Sequence, residues 1–337
     1  MDITVVIPTR DRPQLLKEAV QSVVSQAGPD IEIVIVDDAS EPPVDVAQLH
    51  SDFGPGLRVI RNDLSVSVCV ARDQGVRTSR GELILHLDDD DRLANGVLEI
   101  ARKPFRNDSA LEVLFLGVLG FGQDADGFNG RQERSVRRVL ADTGADAALG
   151  VLVKFDKKLF QTLLAGVPMA FQRVMVRRGA WNKVNNFRRR IYALSQPDAG
   201  RDPLFRVCPL WNESEWSMYA SVLCTTALLD SPLYLQRCAG QGYFSAGQIG
   251  LESFNAGINI MDHLGRATRA TKEFAPWRRL VREHRSKVHF DRAYFCLKRG
   301  DRIGAIKSVV RAFSIVPGWK HFRFCAKIVG GALDRSA

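Results

Sequence analysis

The residues best equipped for chemistry are four consecutive carboxylates, Asp88 to Asp91, placed directly after the apolar run Leu83 to Leu87. That run has the length and composition of a buried strand. Four adjacent like charges repel one another. A divalent, oxygen-seeking cation relieves the repulsion: Mg²⁺ or Mn²⁺ is held by one or two carboxylates while substrate phosphates and water complete its shell. The position suits a ligand, because open α/β sheets bind ligands at the carboxyl ends of their strands. A second reading stands beside it. Arg92 is followed by Leu93, Val97, Leu98 and Ala101, so some of these carboxylates also suit the charge-matched start of a helix.

Other polar groups fall at strand ends. Ile3 to Ile7 is a β-branched run closed by Pro8, Thr9, Arg10, Asp11, Arg12 and Pro13, after which Leu15, Leu16, Ala19, Val20, Val23 and Val24 keep helical spacing. Two arginines and a hydroxyl at the end of a strand offer a place for a nucleotide. The loop has neither the G-x-G-x-x-G of dinucleotide folds nor the G-x-x-x-x-G-K of P-loops, which disfavours both classes. A second strand, Ile31 to Val36, ends in Asp37 and Asp38. A carboxylate there can accept from the imide N–H of uracil or thymine, or simply form an Asx turn.

These groups require a scaffold of alternating elements. A short strand near Leu57 to Ile60, a helix from about Ser67 to Ser79 and a Gly81 stop lead into the acidic strand, and a further strand is expected at Glu112 to Val118. Such alternation predicts an α/β fold with a mostly parallel sheet covered by helices on both faces. Residues 119–150, with a Gly- and Asp-bearing stretch and the basic Arg131 to Arg138, are expected to form an irregular excursion beside the site. Gly240 to Gly247 is Gly-rich without a phosphate-loop pattern and suits a lid.

Four segments in order, Val5 to Arg12, Val34 to Ser40, Val70 to Gly75 and Gly81 to Asp91, together resemble the nucleotide-binding half of family 2 glycosyltransferases of the GT-A fold. The likeness covers about residues 1–100. A looser similarity continues through Val176 to Trp181 and Trp211 to Tyr219, where Glu215 and Trp216 resemble the family's Glu-Asp-Trp motif. The resemblance implies that Pro8, Thr9 and Arg10 line a nucleotide pocket, that Asp38 holds the base, and that Arg72 is a pocket arginine; Asp73 stands where the family has Asn. It implies Asp90 as principal metal ligand in an Asp-x-Asp motif begun by Asp88, with Asp88 or Asp89 toward the ribose and the hydrated metal, and His263 as a further ligand. It makes Glu215 the catalytic base, with Glu213 in reserve, in a single displacement that inverts the anomeric carbon. Trp181, Trp211 and Trp216 suit sugar stacking or plain burial, and His86 a structural role. Neither a Gln-x-x-Arg-Trp sequence nor a membrane helix follows, so one sugar per encounter is expected rather than processive synthesis.

The expected organisation is a nucleotide-sugar half (1–118), an acceptor half (119–262) and a basic helical extension (263–337). Net charge is +9, and the last 75 residues alone carry 18 Lys/Arg against 5 Asp/Glu, leaving the first 262 at −4. A basic tail suits an anionic membrane surface, here through 277–337, or a solvated face. A nucleic-acid or scaffold role for it would leave Asp88 to Asp91 unexplained, and no nucleic acid is expected. Six scattered cysteines without a Cys-x-x-Cys pair argue against a zinc site or a disulfide framework. With no apolar run near the roughly 20 residues of a membrane span and no basic-then-apolar leader, a cytoplasmic enzyme is expected, peripheral at the inner face of the plasma membrane if the tail engages lipid. The implied substrates are a UDP- or dTDP-sugar donor and a saccharide or lipid-linked acceptor in surface glycan assembly, with polyprenyl phosphate as the rival acceptor.

Overall fold

A computed structural model describes residues 2–144, 152–166, 171–194, 202–207, 211–238, 250–319 and 323–324. It divides into two units, Met1–Ser245 and Ala246–Ala337. In the first, the elements run β1 (Ile3–Thr9), α1 (Pro13–Val24), β2 (Ile31–Asp38), α2 (Val46–Phe53), β3 (Leu57–Asn62), α3 (Val68–Thr78), β4 (Leu83–His86), β5 (Arg92–Leu93), α4 (Val97–Asn107), β6 (Val113–Phe121), α5 (Ala125–Thr143), β7 (Leu152–Phe155), α6 (Lys158–Leu164), β8 (Val174–Arg177), α7 (Arg178–Ala193), α8 (Asn212–Leu223) and β9 (Thr226–Arg237).

The strands form one sheet in the order β3-β2-β1-β4-β8-β6-β9-β5, with β7 paired to β9. From β3 to β4 it is parallel, as βαβ alternation requires, and β8 then enters antiparallel to both β4 and β6. The inner strands are apolar on both faces, β1 being buried along its whole length. β4 ends at His86 with Asp88 to Asp91 immediately beyond it, and Thr9 ends β1 alongside. Helix α3 lies unusually close to the sheet because residue 75 is glycine: a Cβ there would overlap Val6 and press on Val36 at 3.2 Å.

Several sequence expectations change here. The excursion expected over 119–150 contains a 19-residue helix, α5, anchored by Asn129, whose side chain accepts from the Gly120 amide at 2.6 Å and donates to the Gly120 carbonyl at 3.2 Å. The boundary expected after residue 118 cuts β6, a continuous strand paired with β9. The lid expected at Gly240 to Gly247 lies outside the described residues. In the second unit, α9 (Leu251–Ala270), α10 (Arg278–Lys298) and α11 (Arg302–Ile315) follow one another, and the boundary expected before residue 263 falls inside α9. Gly300 and Asp301 separate α10 from α11 as the sequence indicates, with Asp301 capping α11 through the Gly304 amide at 2.8 Å. No helix among the described residues is long and apolar enough to cross a membrane.

The contact at Gly75 gives a direct test of this packing. Gly75→Val adds volume where Val6 and Val36 leave none, and overpacking of this kind costs about 1–3 kcal/mol. The urea unfolding midpoint is expected to fall by a corresponding amount; an unchanged midpoint would contradict the close approach.

Candidate active site

Each carboxylate after β4 has its own partner, and the partners come from five different elements. Thr9, at the end of β1, donates its hydroxyl to Asp89 Oδ2 at 2.8 Å. Arg12, entering α1, reaches Asp89 Oδ1 at 3.2 Å and Asp90 Oδ2 at 3.0 Å. Arg72, buried in α3, pairs with Asp88 through one guanidinium nitrogen and with Glu213, in the first turn of α8, through the other. Arg173, just before β8, lies 3.0 Å from Asp88 Oδ2 and 3.3 Å from Asp91 Oδ2. From β9, the Tyr234 hydroxyl accepts the Asp88 amide at 3.0 Å, and the Arg237 amide donates to Asp91 Oδ1 at 2.8 Å.

The charges do not share this support equally. Burial opposes ionisation of Asp88, yet Arg173 and Arg72 outweigh it and hold its carboxyl well below the usual range. Burial pushes Asp89 up to about 6, its bonds to Thr9 and Arg12 only partly offsetting burial and the charges of Asp90 and Asp88. Asp90 and Asp91 are raised too, by burial first and then by neighbouring carboxylates. One oxygen from each of Asp88, Asp90 and Asp91 lies within 4.8 Å of the others. Hard oxygen donors, mutually repelling and close enough to converge on one point, fit Mg²⁺ or Mn²⁺.

A cavity opens beside Asp88, lined among others by Arg72, His86, Arg173, Trp181, Glu213 and Trp216. Its wall is a row of rings: His86 and Trp181 have centroids 4.2 Å apart, and Trp181 stacks on Trp216 at 5.2 Å. Burial, with Arg72 nearby, lowers the His86 pKa to about 3, so the imidazole is neutral near pH 7.

Glu213 and Glu215 sit two positions apart on α8, hence on opposite sides of the helix. Glu213 faces the cavity. Glu215, 0% exposed, accepts from Arg188 Nη2 at 2.8 Å and from the Tyr192 hydroxyl at 2.7 Å. Helix α8 ends at Leu223, and the β-branched and leucine run from Thr226 continues as β9. On β2, Asp38 accepts from the Ser65 hydroxyl at 2.8 Å, the Val66 amide at 2.7 Å and Asn62 at 3.2 Å. Asp37 turns instead to its own loop, where burial is outweighed by Ser40, Val44 and Arg61 and its pKa is lowered. Pro8 is buried in β1, whereas Arg10 is exposed and pairs with Asp11 at 3.4 Å. His263 is buried in α9 of the second unit, with Nδ1 2.8 Å from the Asn259 carbonyl oxygen. Asp73 accepts from Trp181 Nε1 at 3.2 Å and Asn185 at 3.0 Å and pairs with Arg189, so a carboxylate at this position ties α3 to α7.

Residues 4–167 match the family described as Glycosyl transferase family 2. That stretch, just under half of the chain, is a family 2 glycosyltransferase match. Among curated proteins, it is 34% identical over 90 residues to the putative colanic acid biosynthesis glycosyl transferase WcaA of Escherichia coli, covering 26% of this chain and 32% of that protein. It is 30% identical over 98 residues to the GalNAc(5)-diNAcBac-PP-undecaprenol beta-1,3-glucosyltransferase of Campylobacter jejuni, covering 28% of this chain and 32% of that one. The matched stretch thus spans about a third of these relatives. A solved structure of S. aureus TarS 1-349 in complex with UDP-GlcNAc superposes with a TM-score of 0.57 at 15% identity, over 94% of this chain and 82% of that one. The fold is therefore that of the GT-A glycosyltransferases, a central mixed sheet flanked by helices and followed by C-terminal helices.

The sequence shows Asp91 as part of the acidic cluster but gives no sign that Arg173, Tyr234 and Arg237, all beyond the family 2 match, are its partners. These three belong to no local pattern, and only the pairing of β8 and β9 into the sheet brings them to it.

Asp89 yields a test of the electrostatics. An acid whose folded pKa lies above its unfolded value of about 3.9 contributes stability that is present at low pH and lost as pH rises through the folded pKa. Without divalent cation, Asp89→Asn should therefore stabilise the fold by on the order of 1–3 kcal/mol at about pH 7.5, raising the thermal midpoint, and leave it nearly unchanged at about pH 4. Differential scanning fluorimetry at the two pH values measures this; an equal shift at both would contradict the assignment.

Proposed function

We propose that the first unit, which contains the family 2 match, moves one sugar from a UDP- or dTDP-sugar to a hydroxyl of a saccharide or lipid-linked acceptor, with inversion, in cell-envelope glycan synthesis. One observation carries this reading: Arg72 joins Asp88, from the acidic cluster, to Glu213, which faces the neighbouring cavity. A place for a diphosphate and a place for a base therefore stand side by side. The names of the relatives support the donor and the setting: WcaA is assigned to colanic acid biosynthesis, and TarS was solved with UDP-GlcNAc.

Asp38 uses three of its roughly four acceptor sites on the end of β3 and the loop after it, leaving one for the imide N–H of a pyrimidine base. Thr9 and Arg12 fix Asp89 and Asp90 in place. Asp90 and Asp88, with Asp91 behind them, would hold Mg²⁺ or Mn²⁺, which when bound supplies positive charge to the departing diphosphate. Glu213 would accept the proton of the acceptor hydroxyl, on the side of the sugar away from the leaving group, and the anomeric carbon would invert. Arg72 holds that carboxylate to the cavity wall, where Trp181 and Trp216 present apolar ring surface to a sugar. Glu215 takes a structural part in this scheme, because its oxygens are consumed by Arg188 and Tyr192 away from the cavity.

Two substitutions separate these roles. Glu213→Gln should lower turnover by roughly 100- to 10,000-fold while leaving donor binding within a few-fold of wild type. Glu215→Gln should act on stability, since it leaves buried Arg188 without its counter-charge, a loss of about 3–5 kcal/mol. Release of nucleoside diphosphate and unfolding midpoints give both readouts. Undiminished turnover in Glu213→Gln would overturn the hydroxyl-acceptor reading and favour a phosphate acceptor, which is already ionised and needs no strong base.

A further inference from the structure

Helix α11 carries its small residues inward and its large apolar residues outward. Ala305, Ser308, Val309 and Ala312 are buried, and Ala305 and Val309 share a cluster with Ala293 and Cys296 of α10. On the opposite face, Ile303 is 69% exposed, Ile306 37% and Val310 54%, at spacings of three and four that align them in one stripe. A helix that packs by one face ordinarily shows the reverse pattern. Beside the stripe stand the exposed Arg302, Lys307 and Arg311, and no Asp or Glu occurs between Arg302 and Ile315. The neighbouring helix behaves differently. On α10, Arg279 pairs with Glu283 at 2.9 Å and Lys287 with Asp291 at 2.8 Å, an ordinary solvated surface with both signs of charge.

We infer that α11 docks on an anionic lipid surface, lying in the plane of the bilayer with Ile303, Ile306 and Val310 at the acyl boundary and Arg302, Lys307 and Arg311 at the lipid phosphates. Charge selects this occupant. A second copy meeting the same face about a twofold axis would set three cations against three cations. A nucleic acid would answer the cations and leave the apolar stripe in water. Anionic lipid answers both, and a cationic helix with an apolar stripe is the form that interfacial helices take. The unit around α11 is basic as a whole, which favours encounter with such a surface. This inference concerns a surface outside the family 2 match and holds whatever donor the site takes.

Co-sedimentation of the full chain with vesicles tests it. The protein should pellet with phosphatidylglycerol-containing vesicles, less so as salt is raised, and should stay in solution with pure phosphatidylcholine. The triple variant Ile303→Ser, Ile306→Ser, Val310→Ser should lose at least roughly tenfold in vesicle partition. The variant Arg302→Glu, Lys307→Glu, Arg311→Glu should lose as much, which keeps the test decisive if the serine variant folds poorly. UDP binding should stay at the wild-type level in both. Three results would overturn the proposal: no pelleting of the wild type, pelleting of both variants at the wild-type level, or a wild-type dimer in sedimentation velocity that the serine variant abolishes.

Discussion

Everything at this site follows from packing four carboxylates against the end of one strand. Unaided, Asp88 to Asp91 would drive each other apart or take up protons, since burial penalises each charge and the neighbours add to the penalty. Three guanidinium groups and a set of backbone and hydroxyl contacts prevent this, but unevenly. Asp88 is held ionised between Arg72 and Arg173, while Asp89, Asp90 and Asp91 stay short of full compensation. That residual imbalance, in a cluster whose oxygens already converge, is what suits the place to a cation and a diphosphate rather than to a solvated acidic surface.

The sheet is arranged to supply the compensation. Parallel β1 and β4 bring Thr9 to Asp89, and antiparallel β8 delivers Arg173 from the other side. β9, pairing with β6 and β5, places Tyr234 and Arg237 behind the cluster. Arg173 also lies over the Tyr234 ring at 4.9 Å, so the cation that neutralises Asp88 and Asp91 is itself held by an aromatic face. Strain falls at the same rim. Asp11, Ala39 and Ser67 have φ of 55°, 66° and 78°, each on a loop after or before an element that feeds the site. Conformations of this kind cost on the order of 1 kcal/mol or more each and gather where a functional geometry is imposed.

Half of this was legible in the chain itself. β1 to β4 and the helices between them appear as local apolar runs with period two or 3.6, and Thr9, Asp38, Arg72 and the acidic run sit where those runs stop. What local patterns cannot carry is partnership across the sheet. Arg173 lies 82 residues beyond Asp91 and Arg237 146 beyond it, and neither belongs to a recognisable spacing. The two glutamates of α8 show a different obstacle: the sequence presents both as first-turn acids, and only the rotation of the helix sends Glu213 to the cavity and Glu215 to Arg188. Glycine misled at α5, where Gly127 and Gly130 suggested a loop although Asn129 ties the helix back to β6. Glycine lowers helix propensity by about 1 kcal/mol, a penalty that tertiary contacts override.

The central claim is that the carboxylate cluster grips a cation shared with a nucleoside diphosphate. Calorimetric titration of UDP and dTDP into the protein, with and without Mn²⁺, tests it most directly, repeated with Asp90→Asn. The account predicts binding of at least one nucleotide that strengthens markedly with Mn²⁺, and loss of that enhancement when Asp90 is neutralised. Failure of both nucleotides to bind under any condition, or binding indifferent to Mn²⁺ and to Asp90, would contradict it.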